Sequence, residues 1–148
     1  MAEFKPEDFL ILVVDDTPDN LYVLTEILDN EGYNVTFAKS GKEALVRIQK
    51  MAIDLIILDL MMPEMDGIEV CSCIKKEPNY QEVPILFLTA FPNLSSLKQA
   101  FQEGAVDYLT KPVNMSELLS RIKNHLINRQ AYSKIQSLNA EIQSILKS

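Results

Sequence analysis

Three acidic residues stand directly after apolar runs, in positions suited to metal and phosphoryl chemistry. Asp15 and Asp16 follow the run Leu10–Val14, and Asp59 follows the run 55–58. A continuous apolar run of this length is typical of a strand buried on both faces of a parallel sheet, so a carboxylate at its end lies at the mouth of the sheet. Three carboxylates in one small cleft repel each other, and either proton uptake or a hard divalent cation relieves that repulsion, Mg²⁺ being the obvious candidate.

Two further polar side chains follow later predicted strands. Thr89 follows the apolar strand 84–88, and Lys111 follows the strand 106–109 after one intervening threonine. A carboxylate nucleophile, a cation site, a hydroxyl and an ammonium group together meet the needs of a phosphoryl group. The chain has neither a GxxxxGK[ST] nor a GxGxxG loop, and no Ser/His or Cys/His arrangement that indicates acyl transfer. We therefore expect the phosphoryl group to come from another molecule.

The elements that must position these residues alternate along the chain. Apolar residues at helical spacing predict a first helix at about 18–30 and further helices that begin near residues 41, 67, 94 and 116. A strand precedes each helix, and the second strand is a short one at 35–38. Asp16 or Thr17 is expected to cap the first helix. Five strands alternating with five helices through right-handed crossovers predict an α/β fold, a parallel sheet covered on both sides. Ligands of such sheets bind beyond the carboxyl ends of the strands, where the strand order reverses.

Composition narrows the class of protein. The 148 residues, 47% hydrophobic and 24% charged, suffice for one ordinary domain with some excess. The formal net charge of −7 argues against binding to nucleic acid or to an anionic membrane surface. No apolar run reaches the roughly 20 residues of a membrane helix and the first residues lack a leader pattern, so a cytoplasmic location is expected. Cys71 and Cys73 point to different helix faces and are interpreted as packing thiols rather than a disulfide or zinc site.

Five motifs in order resemble the receiver domain of bacterial two-component response regulators. They are the paired acids after the first strand, the loop LDLMMPEMDG around Asp59, the residue Thr89, the segment YLTKP at 108–112, and the alternating elements that carry them. The resemblance covers about residues 9–128. It implies a doubly wound five-stranded sheet of flavodoxin-like order 2-1-3-4-5. Residues 1–8 would then be a lead-in and residues 129–148 a C-terminal helical extension.

The resemblance also implies a role for each site residue. Asp59 would accept a phosphoryl group from a sensor histidine kinase or a histidine phosphotransfer protein. Asp16 and Asp59 would bind Mg²⁺ directly, Met61 would bind it through its backbone carbonyl, and Asp15 would act through water.

Residues on the later strands would respond to phosphorylation. By the resemblance, Thr89 would hydrogen-bond the phosphoryl group, Lys111 would pair with it across a cis Lys-Pro bond, and Tyr108 would be an aromatic switch coupled to Thr89. Surface residues of the first helix, Asn20 and 22–25 among them, would help to select the kinase.

Each of these residues has a structural alternative. Asp59 could cap the following turn, and Asp15 or Asp16 could cap the first helix. Thr89 could be a buried hydroxyl with a hydrogen-bond partner, Lys111 could be a solvated lysine, and Tyr108 could be an ordinary core residue.

Two other functions also remain open. An independent phosphohydrolase would need a general base, which no second acid at position 61 supplies, and a degenerate scaffold would lack an acid or the lysine. We therefore expect a switch rather than an enzyme, with only self-phosphorylation and slow self-dephosphorylation.

Slow self-dephosphorylation is expected from two bulky apolar residues. Met61 lies two residues after Asp59, and Phe91 lies two residues after Thr89. Side chains of this kind beside the phosphoryl group would hinder an attacking water and offer it no hydrogen bond.

The last part of the chain carries an apolar stripe without Gly or Pro. Residues Ile127, Ala131, Ile135, Leu138, Ile142 and Ile145 follow spacings of 4, 4, 3, 4 and 3. The spacing predicts that the fifth helix continues past the domain as a short coiled-coil signal helix, with a stutter before a heptad run. We expect it to form a parallel homodimer that phosphorylation tunes, the alternatives being a helix packed on its own domain or a disordered tail.

Overall fold

Five parallel strands form the centre of the protein, for which a computed structural model describes residues 3–147. They run in the order β2-β1-β3-β4-β5, as predicted for a doubly wound sheet. The strands are β1 (Leu10–Val14), β2 (Asn34–Ala38), β3 (Leu55–Asp59), β4 (Ile85–Thr89) and β5 (Asp107–Thr110). Every residue of β3 and β4 is buried, whereas the edge strands β2 and β5 are partly exposed.

Five helices cover both faces of the sheet. They are α1 (Pro18–Asn30), α2 (Gly41–Lys50), α3 (Gly67–Lys75), α4 (Leu94–Gln102) and α5 (Met115–Lys147). Helices α1 and α5 pack on one face, against alternate residues such as Ile11 and Ile57. Helices α2, α3 and α4 pack on the other face, against Leu12 and Ile56. The period-two alternation of side chains along each strand supplies both cores.

Side-chain caps fix where four of the helices begin. Ser40 accepts a hydrogen bond from the amide of Glu43, Asp66 from that of Glu69, Asn93 from that of Ser95, and Asn114 from that of Glu117. Helix α1 differs from expectation, because the Thr17 side chain makes no capping bond. The carboxylate of Asp15 instead accepts from the Thr17 amide at 2.9 Å.

Helix α4 buries less of its apolar surface than its sequence indicates. Leu94 and Phe101, which fall at helical spacing with Leu97 and Ala100, are 85% and 43% exposed. The residues that α4 buries are Leu97 and Ala100. The region from 91 to 106 therefore presents several apolar side chains to solvent.

Phe4 packs the described part of the N-terminal lead-in, residues 3–8, onto the domain. The ring of Phe4 stacks on Phe9 with centroids 5.1 Å apart and meets Tyr33 edge-on at 6.4 Å. Lys123 of α5 lies 5.6 Å from the same ring. These contacts join the start of the chain to the face covered by α1 and α5.

Helix α5 continues unbroken to Lys147, as predicted from the absence of Gly and Pro. Leu118, Ile122 and Leu126 are fully buried against the sheet, whereas every residue from 131 to 147 is exposed. The alternative of a tail packed on its own domain therefore does not hold for the described residues. No helix between residues 3 and 147 combines the length and the hydropathy needed to cross a membrane.

Candidate functional site

The three predicted acids meet at the carboxyl ends of β1 and β3, the two strands between which the strand order reverses. Val14 pairs with Leu58, so the residues that follow, Asp15 and Asp59, stand side by side. Asp15 and Asp59 are only 1% and 5% exposed, whereas Asp16 is exposed. One carboxylate oxygen from each of the three acids lies within 4.8 Å of the other two.

Lys111 reaches into this cluster from the end of β5. Its Nζ lies 3.3 Å from Oδ2 of Asp59 and 3.4 Å from Oδ2 of Asp15. The Lys111 amide donates to the Thr89 carbonyl at 2.8 Å, and the peptide bond to Pro112 is cis, as the resemblance implies. Lys111 is therefore not a solvated surface lysine, because its ammonium lies between two buried carboxylates.

Asp15 serves both the cluster and the start of α1. Its Oδ1 accepts from the Thr17 amide, while Oδ2 accepts from the Asn20 side-chain amide at 3.3 Å and faces Lys111. Sequence reasoning placed Asn20 on the kinase-selecting surface and missed this donor role. The bonds hold the Asp15 carboxylate in one orientation beside Asp59.

Asp59 lies in surroundings that disfavour its negative charge. Burial raises its pKa, the neighbouring charge of Asp15 raises it further, and the ammonium of Lys111 and a 3.2 Å hydrogen bond from the Met61 amide oppose the rise. The Asp59 carboxylate is thus held in an environment that favours a nearby cation. A set of oxygen donors from acidic side chains suits Mg²⁺, and the participation of the Met61 carbonyl stays a prediction.

The loop after Asp59 is held close to the sheet by a glycine. The Gly67 amide donates to the Leu60 carbonyl at 3.0 Å, and the Leu60 amide donates to the Leu88 carbonyl at 2.9 Å. A Cβ at position 67 would stand 2.5 Å from the backbone oxygen of Asp59. The position therefore needs glycine for close approach, a requirement that fixes Asp59 relative to α3.

Thr89 and Tyr108 lie on the neighbouring strands β4 and β5, two residue pairs apart in the register. Thr89 is fully buried, and its Oγ1 accepts from the Phe91 amide at 3.2 Å. The half-buried ring of Tyr108 packs edge-on against Phe101, with centroids 6.2 Å apart. Coupling between the two residues stays a prediction.

Met61 and Phe91 lie in the loops that follow β3 and β4. Their side chains are 61% and 74% exposed, and both line one cleft of about 570 Å³ that the three acids do not line. The two residues expected to hinder an attacking water therefore face a common space.

Sequence reasoning missed two ion-paired clusters at the opposite, amino-terminal edge of the sheet. Asp107 accepts from Arg121 and lies 3.0 Å from His125 Nε2, and Asp54 pairs with Arg129. Burial alone would raise the pKa of Asp107, but its bonds to Arg121 and His125 hold it below the ordinary value. The only signal in the sequence is the spacing of the three basic residues, four apart on α5.

The chain is similar to a known family and to several curated proteins over most of its length. The sequence profile of the response regulator receiver domain matches residues 11–123. A Vibrio cholerae protein named "Probable cyclic di-GMP phosphodiesterase" is 42% identical over 121 residues, which are 82% of this chain and 27% of that protein. The Bacillus subtilis transcriptional regulatory protein YvrH is 40% identical over 134 residues, 90% of this chain and 55% of that protein. The chain thus spans about half, or less, of the length of these relatives.

A solved structure shares the fold over nearly its whole length. The chemotaxis protein CheY4 of Vibrio cholerae superimposes with a TM-score of 0.76 at 33% identity, covering 78% of this chain and 97% of that one. The family match runs from β1 to the first part of α5 and includes the three acids and Lys111. Sheet order, site and sequence agree, and the chain belongs to the response regulator receiver domain family, the phosphoryl-accepting module of two-component systems.

Proposed function

We propose that this chain is a phosphorylation switch in which Asp59 takes a phosphoryl group from a sensor histidine kinase or a histidine phosphotransfer protein. The observation that carries the proposal is the Lys111 ammonium, 3.3 Å from Asp59 and 3.4 Å from Asp15 at the mouth of the sheet. A cation in this place can move with the phosphoryl oxygens as they arrive.

The transfer needs little from the protein beyond position and charge. One oxygen of the Asp59 carboxylate attacks phosphorus, the P–N bond of the donor phosphohistidine breaks, and its electron pair stays on the imidazole nitrogen. The product is an acyl phosphate on Asp59. Lys111 offsets the new negative charge, and the Thr89 hydroxyl donates a hydrogen bond to a phosphoryl oxygen.

Mg²⁺ is the proposed cofactor of this transfer. Receiver domains bind Mg²⁺ at an acidic pocket, and the clustered oxygens of Asp15, Asp16 and Asp59 suit a hard cation. Asp16 and Asp59 would bind the ion directly with the Met61 carbonyl, and Asp15 through water. When bound, the ion supplies charge neutralisation for the phosphoryl oxygens and for the acids.

The proposed output begins at Thr89. In the unphosphorylated chain its hydroxyl oxygen accepts from the Phe91 amide. A phosphoryl group on Asp59 would draw the hydroxyl away from this bond, and the Tyr108 ring would follow inward past Phe101. The exposed face formed by α4 and β5 would then change, and with it α5 and the homodimer that we propose for its C-terminal part. The switch would act in the cytoplasm.

Intact mass after incubation with Mg²⁺ and acetyl phosphate tests the proposal. The wild-type chain should gain one phosphoryl group, and Asp59→Asn should gain none. Asp66→Asn is the matched control, because Asp66 lies in the same loop but only caps α3. Modification of the Asp59→Asn variant at wild-type yield, or a gain that does not depend on Mg²⁺, would refute the assignment.

A second measurement tests slow self-dephosphorylation. The double variant Met61→Asn/Phe91→Ser should lose the phosphoryl group several-fold faster than wild type once the donor is removed, because polar side chains admit and orient water. Leu94→Ser is the control, since Leu94 is equally apolar and 85% exposed but does not flank the acids. An unchanged lifetime in the double variant would show that Met61 and Phe91 do not shield the site.

A further inference from the structure

The C-terminal part of α5 presents an apolar face to solvent. Residues 131–147, here called the exposed segment, include Ile135, Leu138 and Ile142, which are 56%, 48% and 52% exposed. A single helix of this length is marginally stable in water unless its apolar face is covered. The exposed segment therefore needs a partner surface.

This apolar face points away from the domain to which the helix belongs. Leu118, Ile122 and Leu126 are fully buried and mark the direction in which α5 packs on the sheet. At 3.6 residues per turn, the centre of the stripe formed by 131, 135, 138 and 142 lies roughly 170° around the helix from that direction. A second helix can therefore lie along the stripe without meeting the domain.

The residues of the stripe fit a two-stranded coiled coil of identical chains. Asn128, Ile135 and Ile142 recur every seven residues as a positions, and Ala131 and Leu138 occupy d positions between them. Isoleucine at a with leucine at d favours parallel dimers, and a single asparagine at an a position fixes their register. Position 124, one heptad before Ala131, is also an asparagine, so the apolar seam begins only where α5 leaves the domain.

The opposite orientation fits less well. Antiparallel pairing would bring Lys134 near Glu141 of the second copy, which is worth only a few tenths of a kcal/mol at an exposed site. It would also set Asn128 against an isoleucine, whereas parallel pairing sets Asn128 against the same amide of the second copy. In the parallel arrangement no like charges face each other across the seam.

We propose that two copies of this chain pair in parallel and in register along α5, with Asn128 at the base of the seam and Ile135, Leu138 and Ile142 within it. Ion pairs fix the direction of the seam relative to the sheet, because Arg129 binds Asp54 and His125 lies beside Asp107. The role of this pairing as an output rests on the proposed phosphorylation switch, but the pairing itself does not.

Cysteine cross-linking of the full chain tests the orientation, in a Cys73→Ser background with oxidised glutathione as the oxidant. Ile142→Cys should give a disulfide-linked dimer, because equivalent a positions meet in the parallel coil. Ser144→Cys is the matched control and should remain monomeric, since residue 144 lies on the other side of the helix. A cross-link that forms only in a mixture of Ile142→Cys with Ala131→Cys would establish antiparallel pairing and overturn the proposal.

Light scattering and intact mass on the same samples separate this proposal from the phosphorylation switch. After treatment with acetyl phosphate and Mg²⁺, wild type should show a doubled mass, and Leu138→Lys should lose the dimer while keeping the phosphoryl group on Asp59. A phosphorylated wild type that stays monomeric at every concentration, even with the exposed segment helical, would overturn the pairing and leave the switch intact. A dimer without any phosphoryl gain would support the pairing and count against the switch.

Discussion

Substitution of Gly67 by alanine tests whether the loop after Asp59 is held by close backbone contact. Gly67 is the first residue of α3, where alanine would ordinarily be favoured over glycine by up to about 1 kcal/mol. Here the added Cβ would stand 2.5 Å from the Asp59 carbonyl oxygen, 2.8 Å from a ring carbon of Phe87 and 2.9 Å from Leu60 Cα. Two of these three neighbours are backbone atoms, which cannot rotate away.

The size of the effect follows from these distances. Reaching an ordinary contact of 3.4 Å from 2.5 Å requires the helix and the carbonyl to separate by about 0.9 Å. Overpacking costs about 1–3 kcal/mol, and the upper end applies here because two of the close neighbours are backbone atoms. After subtraction of the helix gain of about 1 kcal/mol, we expect a net loss of about 2 kcal/mol in the free energy of unfolding. For a domain of this size that corresponds to a fall of roughly 4–8 °C in Tm. A shift approaching 1 Å at the residue that bears the acceptor should also slow phosphoryl gain by about a hundredfold.

Thermal denaturation and the rate of mass gain from acetyl phosphate measure the two effects. Gly41→Ala is the control, because Gly41 is the first residue of α2 and an added Cβ would meet only the side chains of Val70 and Met65. This variant should lose less stability and accept phosphate at close to the wild-type rate. If Gly67→Ala were as stable and as readily phosphorylated as wild type, close contact at Gly67 would not be what positions Asp59.

Two further substitutions test charges at the two edges of the sheet. The pKa of Asp59 is raised in the fold, so wild type loses stability as pH rises from the unfolded-state pKa through the folded-state pKa. Asparagine does not ionise and escapes this loss. Without Mg²⁺, Asp59→Asn should therefore become increasingly more stable than wild type over that pH range. Mg²⁺ should reduce or reverse the difference, and denaturation curves at several pH values that show no gain for the variant would contradict this account. Asp54→Asn should lose about 1 kcal/mol with its ion pair to Arg129 while keeping an acceptor for the Leu10 amide. In this variant the backbone amides around residue 129 should exchange hydrogen faster, and those of β1 should not. Unchanged exchange in both places would show that the ion pair between Asp54 and Arg129 does not hold α5 against the domain.

The sequence predicted the sheet and the acids because the central strands are buried on both faces. Such strands tolerate polar side chains only at their ends, so Asp15, Asp59 and Thr89 had to lie at the same edge once the strands were parallel. The continuity of α5 was predictable for a related reason, since nothing in its sequence ends a helix before Lys147.

Other features depend on tertiary contacts that periodicity does not encode. The apolar residues of α4 could be placed on either of two overlapping faces, and the structure buries Leu97 and Ala100 while leaving Leu94 and Phe101 exposed. Phe4 lies in a polar stretch of the sequence, and the position of its ring is determined by contact with Phe9 and Tyr33. A helical pattern states that one face is buried but not how far the neighbouring elements extend over it.

The ion pairs on α5 were the least predictable feature. Through them, strands β3 and β5 each connect the acid cluster to α5. Asp54 and Arg129 are 75 residues apart, so neither residue predicts the other from the sequence. In the fold, Asp54 stands just before β3 and Asp59 ends that strand, while Asp107 begins β5 and Lys111 follows it. Each of these two short, stiff strands therefore carries a residue of the phosphoryl site at one end and an acid bound to α5 at the other. Under the proposed switch, a displacement of Lys111 or Asp59 on phosphorylation would pass along these strands to Arg121 and Arg129, and through them would change the direction in which the apolar seam of α5 faces.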